Sequence, residues 1–106
     1  MISRGEVRWY RFQKPDKRRL IVILTRDSAI PYLDELTIAP ITSTIRDIPS
    51  EVLLTADDGM PRDCVVNLDH VQTVSRKKIG PLLAVLGGKR MREVRDALLF
   101  ALQCER

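Results

Sequence analysis

Apolar and alternating stretches fill the first three-quarters of the chain, and one stripe of helical spacing closes it. Val7-Arg-Trp-Tyr-Arg-Phe12 has the aromatic and β-branched bias of a strand. Leu20-Ile-Val-Ile-Leu24 is five apolar residues in succession, which predicts a central strand covered on both faces. Between them, Gln13-Lys-Pro-Asp-Lys-Arg18 reads as a basic loop turning at Pro15-Asp16. Arg26-Asp-Ser28 offers a helix N-cap, and Ala29 to Asp34 has room for a short helical turn around Pro31. Leu36 to Thr42 predicts a third strand, and Pro40 within it argues for an edge or a bulge.

Val52 to Leu54, Cys64 to Leu68 and Val71 to Val74 complete a set of six short strands, with a turn at Ala56 to Pro61 centred on Asp58-Gly59. Short strands with turns every few residues predict a compact barrel. Leu82 to Leu86 reads as a short helical turn broken by Gly87-Gly88. From Lys89 to Gln103, Met91, Val94, Leu98 and Ala101 fall on one helical face, while Leu99, Phe100 and Leu102 lie off it. A helix so apolar in its last turns needs cover on more than one side. The barrel supplies one cover, and a second copy of the chain is the simplest other, so a homodimer is expected. The fold class is therefore mainly β with a C-terminal α-helix, an α+β protein forming one domain over residues 1–106.

Composition narrows the chemistry. At 106 residues the chain has no room for a second core, and 44% apolar content excludes a disordered segment. The longest apolar runs are far too short to span a membrane, and the N-terminus lacks a hydrophobic signal region, so a cytoplasmic protein is expected. A formal charge of +4 favours an anionic partner. Cys64 and Cys104 read as small buried apolar residues, and with His70 the only histidine there is no metal signal. No glycine-rich phosphate loop and no Gly-x-Ser-x-Gly elbow occurs, and Cys64 and His70 have no evident third member of a triad.

Arginines and hydroxyls remain. Arg18-Arg19 stands where the basic loop runs into the most apolar strand, and a guanidinium there offers a planar fork of donors that suits phosphate. Thr42-Ser43-Thr44 closes the third strand with three hydroxyls. Lys14, Lys17 and Arg18 on the first loop, with Arg76-Lys77-Lys78 beyond the last strand, are candidate phosphate anchors that would add affinity and salt dependence. His70, in a link between strands, reads as a surface or structural residue.

Taken in order, Gly5-Glu-Val-Arg-Trp9, Arg19 with its apolar strand, Ile41-Thr-Ser43, Val52-Leu-Leu54, Asp58-Gly-Met-Pro-Arg-Asp-Cys-Val-Val-Asn67 and Leu68-Asp-His-Val-Gln-Thr-Val74 make a recognisable set. With the closing amphipathic helix, this resembles the MazF/PemK toxins over residues 3–104. The resemblance implies an SH3-like barrel, as in MazF and CcdB proteins, and a two-fold dimer whose shared groove binds single-stranded RNA. It implies a sequence-selective endoribonuclease that needs no metal or cofactor and leaves 2′,3′-cyclic phosphate and 5′-hydroxyl ends. It also implies a cognate, acidic, MazE-like antitoxin as partner.

The family's active-site arginine falls on Arg19 and its threonine on Thr42, with Ser43 as a candidate second donor. Two departures stand out. Leu20 follows the arginine where many relatives have proline, and the first loop lacks the glutamate that some relatives carry, leaving Asp16 as its only acid. Two alternatives stand beside this reading. One is a CcdB-like gyrase poison without nuclease activity, although that kind ends in Trp-Gly-Ile and this chain ends Gln103-Cys-Glu-Arg106, with Trp9 as its only tryptophan. The other is a non-catalytic nucleic-acid-binding barrel.

Overall fold

The computed structural model describes residues 1–12 and 17–104. Lys14 and Asp16 lie outside the described residues, as does the side chain of Lys17. Among the described residues seven strands form one antiparallel sheet: β1 (Glu6–Phe12), β2 (Lys17–Ile23), β3 (Glu35–Thr42), β4 (Glu51–Leu54), β5 (Cys64–Asn67), β6 (Gln72–Ser75) and β7 (Ile79–Val85). The order is β4-β5-β3-β2-β1-β7, with β6 paired to β3 as well, and α1 (Gly88–Ala101) closes the chain. The sheet is barrel-like without being closed.

Strand alternation explains the run Leu20–Leu24. Successive side chains point to opposite faces, so a strand buried on both faces reads as continuously apolar. Ile21 and Ile23 enter a core with Tyr10, Ile30, Leu36, Ile38 and Val74. Leu20, Val22 and Leu24 enter the other, with Val7, Ala39, Ile41, Val52, Leu54 and Val66, and there Val94 and Ala97 of α1 complete the packing. The apolar stripe of the helix is thus covered by the sheet, with Met91, Leu98 and Ala101 at its margins. Phe100 and Leu102 point away from that cover and are 59% and 60% exposed.

The sheet departs from the sequence-based expectation in two places. Residues 82–85, expected to turn helically, belong to β7, a seventh strand that pairs, among the described residues, with β1 alone. The register along this pair shifts twice, and Gly80 lies so close to β1 that a Cβ would stand 3.1 Å from the Trp9 carbonyl oxygen. Edge position and irregular register accommodate Pro81. Pro40, expected at an edge or a bulge, lies on an interior strand. It pairs with Ile21 of β2 and falls between Ile38, which pairs with β6, and Ile41, which pairs with β5. In that gap between partners its missing N–H interrupts neither ladder. The short helical turn expected around Pro31 is present as a three-residue 3-10 turn, Ile30–Tyr32, but its cap is Ala29 and no side chain of the Arg26-Asp-Ser28 stretch caps it. Cys104, expected to be buried, is exposed beyond α1, whereas Cys64 is buried, and both are free thiols.

Candidate nucleic-acid interface

The β2–β3 ladder runs as far as Ile21 opposite Pro40, and Arg19 and Thr42 lie just beyond it, two residues from that pair on each strand. Both line a cleft of about 380 Å³ with Pro40 and Phe12. Thr42 Oγ1 accepts the Thr44 backbone N–H at 3.1 Å, which leaves the hydroxyl proton to donate. Among the described residues the Arg19 guanidinium has no hydrogen-bonding or ionic partner, so its fork of donors is available to an anion. A cation and a hydroxyl donor on neighbouring strands are suited to a phosphate oxygen pair.

Alternation sends the next residues to the opposite face. Arg18 stacks on Trp9, with its guanidinium carbon 4.4 Å from the ring centroid. Ser43 joins Trp9, Arg18, Pro61, Arg62 and Cys64 around a second cleft of about 280 Å³, which Arg19 and Thr42 also border. Ser43 is therefore not a twin of Thr42. The structure brings Arg19 and Thr42 together in the first cleft and sets Ser43 and Arg18 around the second.

The basic cluster after β6 divides. Arg76 donates to the carbonyl oxygens of Ile30 and, at 2.9 Å, Leu33, so it fastens the 3-10 turn to the end of β6. Lys77 lies with Asp34 and Glu35 at the end of β3 away from Thr42. Lys78 alone approaches the first hairpin, beside Arg11 and Arg18. None of the three lines the Arg19 cleft. The three expected phosphate anchors thus stand apart: Arg76 clasps the 3-10 turn, Lys77 lies at the far end of β3 and Lys78 lies near Arg18.

Several residues of the first cleft carry no sequence signal. Arg46 reaches it from the irregular link between β3 and β4, where Asp47 adopts a left-handed φ of 58° and Glu51 Oε1 accepts the Arg46 N–H at 3.0 Å. His70 also lines it, at the end of the 3-10 turn Leu68–His70. Asn67 caps that turn, accepting the Asp69 N–H on Oδ1 at 3.0 Å, with Nδ2 3.4 Å from His70 Nδ1. Ser50 Oγ donates to Asp69 Oδ2 at 2.6 Å and ties the turn to the β3–β4 link. These residues come from three segments, so no single stretch of sequence shows the set.

The floor beneath the second cleft is chemically quiet. Burial, with smaller contributions from Asp63 and Asp58, pushes the Cys64 thiol above its usual range, so it stays protonated and unreactive. Among the described residues no helix is long and apolar enough to cross a membrane.

The family model of PemK-like, MazF-like toxins of type II toxin–antitoxin systems matches residues 3–102. The chain is 43% identical over 105 residues to the probable endoribonuclease MazF5 of Mycobacterium tuberculosis (strain ATCC 25618 / H37Rv), covering 98% of this chain and 95% of that protein. Its fold is similar to the M. tuberculosis toxin MazF-mt6, with a TM-score of 0.88 and 29% identity over 95% of this chain and 99% of that one. It is also similar to MazF in a MazE–MazF crystal structure from Deinococcus radiodurans, with a TM-score of 0.83 and 26% identity over 98% of each chain. The chain belongs to the PemK-like, MazF-like toxin family.

Proposed function

We propose that this protein is the toxin of a type II toxin–antitoxin system, an endoribonuclease that cuts single-stranded RNA in the cytoplasm and is restrained by an acidic antitoxin. The observation that carries the reading is the cleft in which Arg19 and Thr42 meet. In the reaction, the RNA 2′-hydroxyl attacks the adjacent phosphorus and expels the 5′-oxygen of the next nucleotide, leaving a 2′,3′-cyclic phosphate and a 5′-hydroxyl. The transition state gathers negative charge on phosphate oxygens, and donors fixed in advance lower its energy most. Arg19 supplies that charge complement, and Thr42 holds a non-bridging oxygen through its hydroxyl proton. A duplex would hold the sugar–phosphate chain away from in-line attack and hide its base edges, so the substrate is single-stranded.

The active form is a homodimer. Phe100 of α1 and Leu102 just beyond it, with Leu53 of β4, leave apolar surface outside the monomer core, and a second copy would cover it. The related D. radiodurans MazF was solved with MazE. By analogy, an acidic, flexible antitoxin segment would lie over Arg18, Arg19 and Arg62 and compete with RNA.

The test is incubation of purified protein with single-stranded RNA and mapping of the new ends. Cleavage with 5′-hydroxyl ends, abolished by Arg19→Ala in a folded protein, is the expected result. Absence of cleavage by the unaltered protein, or equal cleavage by Arg19→Ala, overturns the proposal.

A further inference from the structure

The cleft has two sides of different chemistry. β2 supplies Arg19 on one side of β3. On the other side, β5 and β4 bring Asn67 and Glu51, β6 brings Gln72, and the turn before β6 brings His70. Phe12 and Pro40 are the apolar lining.

Hydrogen bonds within the protein fix what the polar side can offer. The Asp69 N–H holds Asn67 Oδ1 at 3.0 Å, and this turns Asn67 Nδ2 toward His70 Nδ1 at 3.4 Å. An amide NH2 only donates, so Nδ1 accepts and the neutral ring carries its proton on Nε2, an assignment made from the network. Gln72 Nε2 donates to the His70 carbonyl at 3.3 Å, leaving Gln72 Oε1 as an acceptor. Glu51 engages the Arg46 N–H through Oε1 at 3.0 Å and keeps Oε2. Among the described residues, His70 Nε2, Gln72 Oε1 and Glu51 Oε2 have no partner in the protein. The three side chains His70, Gln72 and Glu51 therefore offer one donor and two acceptors, one of the acceptors anionic, while the Arg46 guanidinium adds a cation to the same cleft.

We propose that this side of the cleft is a base-reading subsite that selects guanine beside the scissile phosphate. The Watson–Crick edge of guanine carries one acceptor, O6, and two donors, N1–H and the 2-amino group, which complements the set. Uracil and cytosine present two acceptors and one donor on that edge, so one carbonyl must face Glu51 or Gln72 unpaired. Adenine presents one donor and one acceptor and leaves an acceptor of the site unmet. A site built to hydrogen-bond a group rejects the analogue that lacks it, because its own polar atoms are then desolvated without a partner. Phe12 provides a ring on which an unstacked base can lie, the usual way proteins hold single-stranded RNA.

The inference rests on the RNA-cleaving function proposed above and adds its sequence preference. The experiment is cleavage of a randomised single-stranded RNA pool with sequencing of the cut ends, alongside one guanine-containing substrate and its inosine counterpart. Inosine keeps O6 and N1–H and lacks the 2-amino group. The unaltered protein should enrich guanine at one fixed position beside the cut, and inosine there should slow cleavage about tenfold. Glu51→Gln keeps an oxygen for the Arg46 N–H and turns the free acceptor into a donor, so guanine preference should fall about tenfold. Arg19-dependent cleavage without guanine enrichment overturns the subsite and leaves the nuclease standing. Loss of cleavage at every sequence by a folded Glu51→Gln protein also overturns it, because Glu51 would then serve the chemistry itself. No cleavage by the unaltered protein removes the proposed function and the subsite together.

Discussion

Arg90 Nε lies 3.1 and 3.2 Å from the two carboxylate oxygens of Asp58, joining the first turn of α1 to the turn between β4 and β5. Asp58 also accepts the Thr55 N–H at 2.9 Å, and Gly59 closes the turn with a positive φ of 88°. Arg90 extends the link to Glu93 at 3.0 Å. The helix is thus pinned at its start by charge and along its face by Val94 and Ala97. Burial works against the Asp58 carboxylate, but the Arg90 and Thr55 hydrogen bonds and the nearby Arg90 and Lys89 charges together hold its pKa below the ordinary 3.8. A depressed acid contributes stability that is present above the unfolded-state value and lost as pH falls through the folded value. Asp58→Asn should cost about 1–2 kcal/mol at neutral pH and flatten the loss of stability below pH 4. Urea melts of both proteins at neutral pH and near pH 3 check it, and an unchanged difference between the two pH values would refute the assignment.

Arg19→Ala and Thr42→Ala should separate by size of effect. Removing a donor aimed at transition-state charge costs roughly a hundredfold or more in rate. Removing one neutral hydrogen bond costs about 0.5–1.5 kcal/mol, or about two- to tenfold. Ser43→Ala should change cleavage by less than Thr42→Ala, since Ser43 borders the second cleft and not the first. Single-turnover rates on one RNA substrate check the order, and a Ser43→Ala loss exceeding that of Thr42→Ala would remove the strand-face argument.

The two thiols should behave oppositely toward an alkylating or disulfide reagent. Cys104 is exposed and should react quickly in the native protein. Cys64 is 5% exposed, and burial raises its pKa, so it should react only after unfolding. Counting modified thiols with and without denaturant checks this. Two rapidly reacting thiols in the native state would contradict the packing around Cys64.

Phe100→Asp should dissociate the proposed dimer without unfolding the monomer, because the ring is 59% exposed and outside both cores. Leu99, half-buried on the same helix, should be more costly to the fold when changed to Asp. Light scattering and circular dichroism together distinguish the outcomes. A folded Phe100→Asp protein of unchanged mass would place the dimer interface elsewhere.

The local pattern determined much of the frame. Leu20–Leu24 announced a strand buried on both faces because a strand exposes alternate residues to opposite sides, and both sides here hold a core. The stripe Met91, Val94, Leu98 announced α1, since helical spacing persists wherever one face must be buried. Position at strand ends marked Arg18-Arg19 and Thr42-Ser43-Thr44 as groups, and the resemblance to the MazF/PemK toxins singled out Arg19 and Thr42 within them. β7 was hidden because its Leu82, Leu83 and Val85 are exposed and give no alternation to read. Pro40 misled because a proline is judged by its own strand, whereas its tolerance depends on where β5 and β6 abut.

What the sequence could not supply is the company each side chain keeps. Arg76 looked like one more surface cation until the fold set its guanidinium against carbonyls 43 and 46 residues earlier in the chain. His70, Glu51, Gln72 and Arg46 share a cleft with Arg19 only because strands and links far apart in the chain converge around Pro40. Periodicity records which way a residue faces relative to its neighbours in the chain. Which residues face one another is fixed by strand order and register, and those follow from burying two cores at once.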